Sequence, residues 1–512
     1  MTKRFYITTA INYPNGRPHM GHAYEAIATD AIARFHRLDG KDVFFLTGAD
    51  EHGLKIAQAA RDAGEEPGAY VSEMTSHFVE MDRQLNISYD RYIRTTEPDH
   101  HAAVQDIWCR MEANGDIYLG KYEGWYSVRD EAYYDEKELV KGEDGEKLSP
   151  EGTPVEWTVE ESYFFRLSAY QDKLLALYDE QPDFVQPGHR RNEMKSFVEG
   201  GLRDLSISRT SFDWGVKVPG DEKHVMYVWL DALSNYLTGV GYPDESHEGW
   251  WPCDVHIIGK DVVRFHAVYW PAFLMSAGIA LPKAVFGHGF VLWDGKKMSK
   301  SSGHVVDPLA LAARYGVDQL RYFLLREVPF GGDGAYSEDA IVTRANADLA
   351  NDLGNLAQRC LSMIAKSCEG LVPEPTSPTN ADKALDMALS GLLSEVQGHM
   401  ATYQIHTALE AIWRMVGETN AYFAGREPWA LKKTDPAAMG SVLYRTADAV
   451  RQLAILAQPA IPDGAAKLLD LLEIPQGERS FAALGNKLKT GTKLPKPEGV
   501  FPRMERPEEE AA

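Results

Sequence analysis

The sequence predicts an α/β protein: a parallel sheet split by an inserted region and followed by an all-helical block. Three observations carry this. A strand–helix–strand unit opens the chain, and its second strand is apolar on both faces; sheet signals resume only after an irregular stretch at 116–225; and beyond Ser337 the apolar residues step at helical spacing. Residues 5–11 are β-branched and aromatic, as a strand requires. Residues 12–18 (Asn-Tyr-Pro-Asn-Gly-Arg-Pro) are a loop dense in turn formers. From Met20 to Leu38 the recurrence of Ile27, Ala31, Phe35 and Leu38 predicts a helix, with Gly40 at its C-terminal cap. Residues 43–47 are continuously apolar, the pattern of a strand buried on both faces. The three together form a right-handed crossover and imply parallel pairing. The stretch 116–225, rich in Tyr, Trp, Glu and Gly, reads as an insertion, and sheet strands return at 255–259 and 284–287. Asp294-Gly295 between strand-like flanks predicts a hairpin that delivers Lys297-Met298-Ser299-Lys300-Ser301 to a loop tip. After Ser337, Leu349, Leu353, Leu356, Cys360 and Met363 form one apolar stripe, with Asn351, Asn355 and Arg359 on another face. Further helices are expected near 380–400, 402–424 and 438–456, with Pro-rich connectors at 373–379 and from Lys489.

A chain of 512 residues suggests about three domains at roughly 150 residues each. The formal net charge is −22, so an anionic partner must be held by a local basic site, not by the overall field. The four cysteines, Cys109, Cys253, Cys360 and Cys368, form no C-x-x-C pair, which fits a reducing compartment. The N-terminus lacks the apolar core of a signal peptide. The most apolar candidate span, 267–282, contains Pro271 and Ser276 and falls short of the ~20 residues needed to cross a bilayer. A cytoplasmic protein that binds neither membrane nor DNA is expected.

Two motifs carry chemistry. His19-Met20-Gly21-His22 sits at the junction of the first loop and first helix. Its imidazoles are one turn apart, Gly21 permits close approach of a ligand, and the free N–H groups of a helix start favour phosphate. Alone, H-x-G-H is a weak motif that ordinary surface or core histidines satisfy. Lys297 and Lys300, three apart on a loop, can bring two positive charges to a triphosphate and offset negative charge that grows on it. A short Lys-Ser cluster is usually a solvated loop; its place after the last sheet strand, paired with H-x-G-H after the first, gives it meaning. The near-match Gly115-…-Gly120-Lys121 is not a phosphate loop, because Tyr122 stands where Ser or Thr is needed. The adjacent His100 and His101 point apart on a helix, and a surface role is expected for them.

The two motifs resemble the HIGH and KMSKS signatures of class I aminoacyl-tRNA synthetases, and the resemblance runs along nearly the whole chain. Within that class the chain resembles the methionyl-tRNA synthetases. The likeness is carried by residues 10–16 (Ala-Ile-Asn-Tyr-Pro-Asn-Gly), 47–53 (Thr-Gly-Ala-Asp-Glu-His-Gly), 227–232 (Tyr-Val-Trp-Leu-Asp-Ala) and 258–261 (Ile-Gly-Lys-Asp), with 191–193 and 205–209 in family order. The resemblance implies a Rossmann-like catalytic domain in two halves (1–115, with the HIGH-type motif, and 226–290). It also implies an inserted connective domain (116–225), a KMSKS and stem-contact region (291–345), a helical anticodon-binding domain (346–490) and a tail (491–512). The implied reaction is activation of L-methionine with ATP to methionyl-adenylate, then transfer to the 3′-terminal adenosine of initiator and elongator tRNA(Met).

By resemblance, His19, Gly21, His22, Gly259, Asp261, Lys297 and Lys300 meet ATP, with His19, His22, Lys297 and Lys300 catalytic. Mg²⁺ accompanies the nucleotide. Ala10, Ile11, Tyr13, Trp229, Leu233, Tyr236, Phe265 and His266 match positions lining the methionine side chain, and Asp50 matches the carboxylate that holds the α-ammonium. Aromatic edges suit a thioether, although Trp229 and Phe265 are equally the aromatics of an ordinary core. Leu233 departs from the proline of some relatives. Asn355, Arg359 and Trp429 match positions contacting the anticodon, where amide and guanidinium groups read base edges and an indole stacks. The inserted domain of the family often carries zinc-binding C-x-x-C knuckles; here Ser127 and Asp130 stand at those places, and a second pair is missing between Lys141 and Pro154. No structural zinc is expected, since a hydroxyl is a poor zinc ligand; packing of Trp125, Tyr126, Tyr133 and Tyr134 is expected to hold the region instead. The chain ends soon after Phe501-Pro502-Arg503, and a monomer without an appended domain is expected. A cysteine-specific synthetase would want clustered thiolates, and a large aliphatic one a long editing insertion. A small-molecule nucleotidyltransferase would leave the helical block unexplained, and a non-catalytic tRNA-binding relative would not need both motifs intact.

Overall fold

The computed structural model describes residues 3–127, 129, 132–142, 144–293, 296–297 and 306–505. At its centre is a six-stranded sheet in the order Arg91–Arg94, Asp42–Ala49, Arg4–Thr9, Val255–Gly259, Val285–His288, Val185–Gln186. Every neighbouring pair in it is parallel. Alternation along the first strand sets the two faces: Phe5 and Ile7 enter the core that continues into the helical block, whereas Tyr6 enters the core on the opposite side. The first helix, Met20–Leu38, buries Ala23, Ile27, Ala31 and Phe35, and Gly40 turns the chain back at φ +83°. The first strand leaves the ladder two residues earlier than its β-branched run suggests. Ala10 N–H still donates to Ile257 O and Asn12 N–H to Gly48 O, so residues 10–13 are held between the two neighbouring strands as these part. Strand order reverses there, and open α/β sheets bind ligands at such a switch point, beyond the carboxyl ends of their strands.

The inserted stretch divides differently from the sequence expectation. Ile117–Ser127 pairs antiparallel with Glu156–Phe165 in a small separate sheet, but Val185–Gln186 pairs parallel with Val285–Phe286 and is an edge strand of the main sheet. A two-residue strand has no periodicity to read, so the span 116–225 is not one uniform insertion. In the small sheet Trp125 faces Trp157 across the strands, ring centroids 5.4 Å apart, and Lys147 Nζ lies 4.0 Å from the Trp125 ring centroid. Tyr126 is buried; Asp130 and the Tyr133 side chain lie outside the described residues. At the knuckle position, buried Ser127, Thr153 and Ser149 join hydroxyl to hydroxyl, at 2.6 and 2.8 Å. This donor set does not fit zinc, and no group of three His, Cys, Asp or Glu able to hold a metal ion occurs among the described residues.

Beyond Ser337, which caps Glu338–Arg344, the predicted stripe is buried: Leu349, Leu353, Leu356 and Cys360 are inaccessible while Asn351 and Asn355 face solvent. Helices Asn380–Met400 and Ile405–Arg426 follow, and Pro436–Ala457, almost wholly buried, is the axis of the bundle. Arg321, with a fully buried side chain, joins this block to the sheet: it donates to Asp30 on the first helix at 2.6 Å and to the Pro459 carbonyl at 2.9 Å. Asp318, one turn earlier, accepts from Gly464 N–H at the start of helix Pro462–Leu471. Among the described residues no helix is long and apolar enough to cross a membrane.

Candidate active site

The first helix starts where the loop after the first strand ends. His19 is its N-cap in extended conformation. Gly21 N–H donates to His19 Nδ1 at 3.0 Å, and His19 N–H donates to His22 Nδ1 at 3.1 Å, a reciprocal cap built from two histidines. Their rings stack with centroids 3.8 Å apart. A Cβ at position 21 would meet His19 Cε1 at 2.9 Å, so a larger residue there would displace the His19 ring from the stack.

A cavity of about 200 Å³ opens at the switch point, lined by His19, Gly21, His22, Gly259, Asp261 and Val291 among others. Val291 begins the strand Val291–Trp293, which pairs antiparallel with Lys296–Lys297, Leu292 opposite Lys297. The hairpin predicted around Asp294-Gly295 is thus present in its two strands, and the Lys297 backbone belongs to the element bordering the histidines. Lys300, Asp294-Gly295 and the Lys297 side chain lie outside the described residues.

Two lining residues escaped the sequence reading. Glu25, one turn beyond His22, accepts from Ala10 N–H at 2.9 Å and pairs with His288 Nε2 at 2.9 Å; His288 Nδ1 faces Gly289 O at 2.7 Å. A carbonyl and a carboxylate only accept, so this setting favours the ring with both nitrogens protonated. Burial opposes that charge, but Glu25 lifts the His288 pKa above the ordinary 6.5. The available signals were the i, i+3 spacing from His22 and the position of His288 at the carboxyl end of a sheet strand.

An adjoining cavity of about 330 Å³ is lined by Ala10, Ile11, Tyr13, Asp50, Trp229, Leu233, Tyr236 and His266, and shares Asp261 with the first. Phe265 is not among its lining residues; it stacks face to face on Trp229, centroids 3.6 Å apart, and backs the indole. His266 Nδ1 lies 2.9 Å from Val262 O, and Tyr236 Oη lies 2.6 Å from His266 Nε2. The carbonyl fixes the proton on Nδ1, so the Tyr236 hydroxyl donates to Nε2. Burial depresses the His266 pKa to about 4, so this wall is neutral.

Behind the cavity the expectation for His100 is corrected. His100 is buried, its Nε2 2.8 Å from Asp231 Oδ1 and its Nδ1 3.0 Å from Thr238 Oγ1. The other Asp231 oxygen meets His52 Nδ1 at 2.7 Å. Burial pushes the Asp231 carboxyl up, but the two imidazoles outweigh it and hold it below the usual carboxylate range. The partner lies 131 residues away, so helical spacing alone could not show that one of the two histidines turns inward.

Outside both cavities, Arg359 and Asn355 share helix Asn355–Ser367. The Arg359 guanidinium lies 5.6 Å from the ring centroid of Trp429 and 5.0 Å from that of Phe423. Trp429 is 45% exposed, an unusual state for an indole.

A parallel sheet with a histidine-capped helix at its switch point, followed by a helical block, defines a class, and comparison agrees. Residues 5–361 match the family described as tRNA synthetases class I (M), and 372–512 the anticodon binding domain of methionyl tRNA ligase. The chain therefore belongs to the class I tRNA synthetases. It is 62% identical over 504 residues to the methionine–tRNA ligase of Brucella suis and 63% over 506 residues to that of Mesorhizobium japonicum, covering 98% of each chain in both cases. The solved structure of Mycobacterium tuberculosis methionyl-tRNA synthetase in complex with methionyl-adenylate superposes with TM-score 0.96 at 59% identity, covering 98% of this chain and 100% of that one. Within the class, its family is the methionyl one.

Proposed function

We propose that the two adjoining cavities divide the activation of L-methionine by ATP between them. The single observation that carries this is Asp261, Ala10, Ile11 and Tyr13 lining both, so that groups bound in each meet at one wall. Methionine lies in the larger cavity, its α-ammonium on Asp50 and its thioether among Ile11, Tyr13, Trp229, Leu233, Tyr236 and the neutral His266. Ala10 completes the wall, and Phe265 stiffens it through Trp229. ATP occupies the smaller cavity against Gly21, Gly259 and Asp261, with phosphates at His19 and His22. The methionine carboxylate attacks the α-phosphorus and pyrophosphate departs, its growing charge met by Lys297 and Lys300. Mg²⁺ enters with ATP, its ligands supplied mainly by phosphates and water. No protein nucleophile is required, because positioning and charge stabilisation suffice for this step.

In the second step a ribose hydroxyl of the terminal adenosine of tRNA(Met) attacks the methionyl carbonyl of the adenylate, the acyl–phosphate bond breaks, and AMP departs. Asn355, Arg359 and Trp429 hold the anticodon, the indole stacking on a splayed base; initiator and elongator tRNA are both substrates. The chain acts as a cytoplasmic monomer without structural zinc. Its domains follow the divisions expected from sequence, with Val185–Gln186 moved to the catalytic sheet. Methionine-dependent exchange of pyrophosphate into ATP, followed by charging of the two tRNAs, tests the reading; exchange that does not depend on methionine would overturn it.

A further inference from the structure

The helix Val228–Thr238 has two working faces. Trp229, Ala232, Leu233 and Tyr236 line the larger cavity, at spacings that share one side of a helix. Asp231 and Thr238, seven residues apart, look away from it, and His100 on the neighbouring helix Pro98–Ala113 bonds to both. The second oxygen of Asp231 takes His52, from the turn that follows Asp50. That turn is fixed elsewhere as well: the Glu51 carboxylate accepts from Thr75 at 2.6 Å, Arg94 at 2.7 Å and Thr96 at 2.5 Å, and the Glu51 carbonyl accepts from the Trp214 indole at 2.7 Å. The His52–Asp231 bond therefore links a rigid turn carrying Asp50 to a stapled helix carrying the side-chain wall. All three members of the link are buried, and none lines either cavity.

We propose that His52, Asp231 and His100 are positioning residues that set the separation between the carboxylate receiving the α-ammonium of an amino acid and the wall receiving its side chain. Recognition then depends on one fixed span: a substrate is gripped only when its ammonium and side chain reach both ends together. The inference rests on the methionine site proposed above. It goes further in tying amino-acid selectivity to residues that never touch the amino acid, and it leaves the ATP subsite out of their influence.

The test is steady-state pyrophosphate exchange by the full chain, with methionine and ATP varied separately. Asp231→Asn keeps the shape and one acceptor oxygen but faces an imidazole with an amide N–H. The expected result is a KM for methionine raised about tenfold or more, with the KM for ATP within about twofold of the parent. Thr238→Val, which frees His100 at its far end and leaves Asp231 with both imidazoles, should raise the methionine KM by about two- to fivefold in the same selective way. Asp231→Glu, which restores the charge, should recover part of the loss. If Asp231→Asn is not recovered as folded protein, Thr238→Val decides alone. Equal rises in both KM values, or an unchanged methionine KM in a folded variant, would overturn the proposal. A parent protein without methionine-dependent exchange would instead overturn the site on which it rests, and the two failures are separately visible.

Discussion

Replacing Tyr236 by Phe removes one oxygen from the larger cavity and tests how His266 is held. The hydroxyl is the donor to His266 Nε2 at 2.6 Å, and both residues are almost inaccessible to solvent. With Nδ1–H committed to Val262 O at 2.9 Å, the variant leaves Nε2 as a buried acceptor with no donor. Such an orphan costs about 1–3 kcal/mol. A water admitted to the cavity would offset part of this, so the lower half of the range is expected, about 1.4 kcal/mol, or a tenfold fall in kcat/KM for methionine in the exchange assay. Stability should fall by a similar amount in urea. His266 titrates near pH 4 in the fold against 6.5 unfolded, so the unfolded chain binds the extra proton between those values. Its neutral ring therefore contributes fully above pH 6.5, and the contribution is lost as pH falls toward 4. Adding His266→Leu to Tyr236→Phe should recover part of the stability but not methionine affinity, because the unpaired Nε2 is removed while the Val262 carbonyl loses its donor. Wild-type stability and methionine kinetics in Tyr236→Phe alone would refute the hydrogen-bond assignment.

Other consequences are as direct. Among the described residues neither carboxylate oxygen of buried Asp82 has a hydrogen-bond partner, and burial together with the Asp30 charge raises its pKa from 3.8 to about 8; the fold then binds the extra proton, so Asp82 makes stability decline as pH rises from 4 to 8, and Asp82→Asn should abolish that slope in urea titrations across the window. Glu25→Gln deprives His288 of its counter-ion; the stabilisation from this pair is complete below pH 6.5 and lost as pH rises through the raised pKa of His288, and the variant should lack that alkaline loss when melted over pH 6 to 9. Trp429→Ala should slow tRNA charging about tenfold or more, on a stacking contribution of ~1–3 kcal/mol, while leaving pyrophosphate exchange nearly intact; equal losses would contradict an anticodon role. Lys300→Ala should do the reverse and cripple exchange itself, and unchanged exchange kinetics would remove that loop from the chemistry.

What could be read from sequence was local. The first helix shows its stripe, its glycine stop and its paired histidines because each signal lies within a turn or two of the next. The same holds for 349–360, where burial follows the spacing. The cavity walls became legible only as family positions, since Ala10 follows the first strand and Tyr236 sits on a helix far along the chain, yet both line one cavity. What stayed hidden depends on distant partners: His100 turns inward for Asp231, Glu25 for His288, and Val185–Gln186 is a strand only because Val285–Phe286 offers it an edge. Phe265, a wall position by resemblance, stacks on Trp229 and is not itself among the residues lining the cavity, a distinction that a match of family positions does not carry.

Arg321 has a consequence for anyone cutting this chain. The guanidinium draws on a helix of the sheet domain and on the Pro459 and Ala460 carbonyls at once, while Gly464 sits on Asp318. Severing the backbone between the two family segments would strip the amino-terminal fragment of those carbonyls and bare the flank of Leu320 and Leu324, both inaccessible in the intact protein. The halves are not portable parts: excised pieces should aggregate, and the whole should melt in a single step.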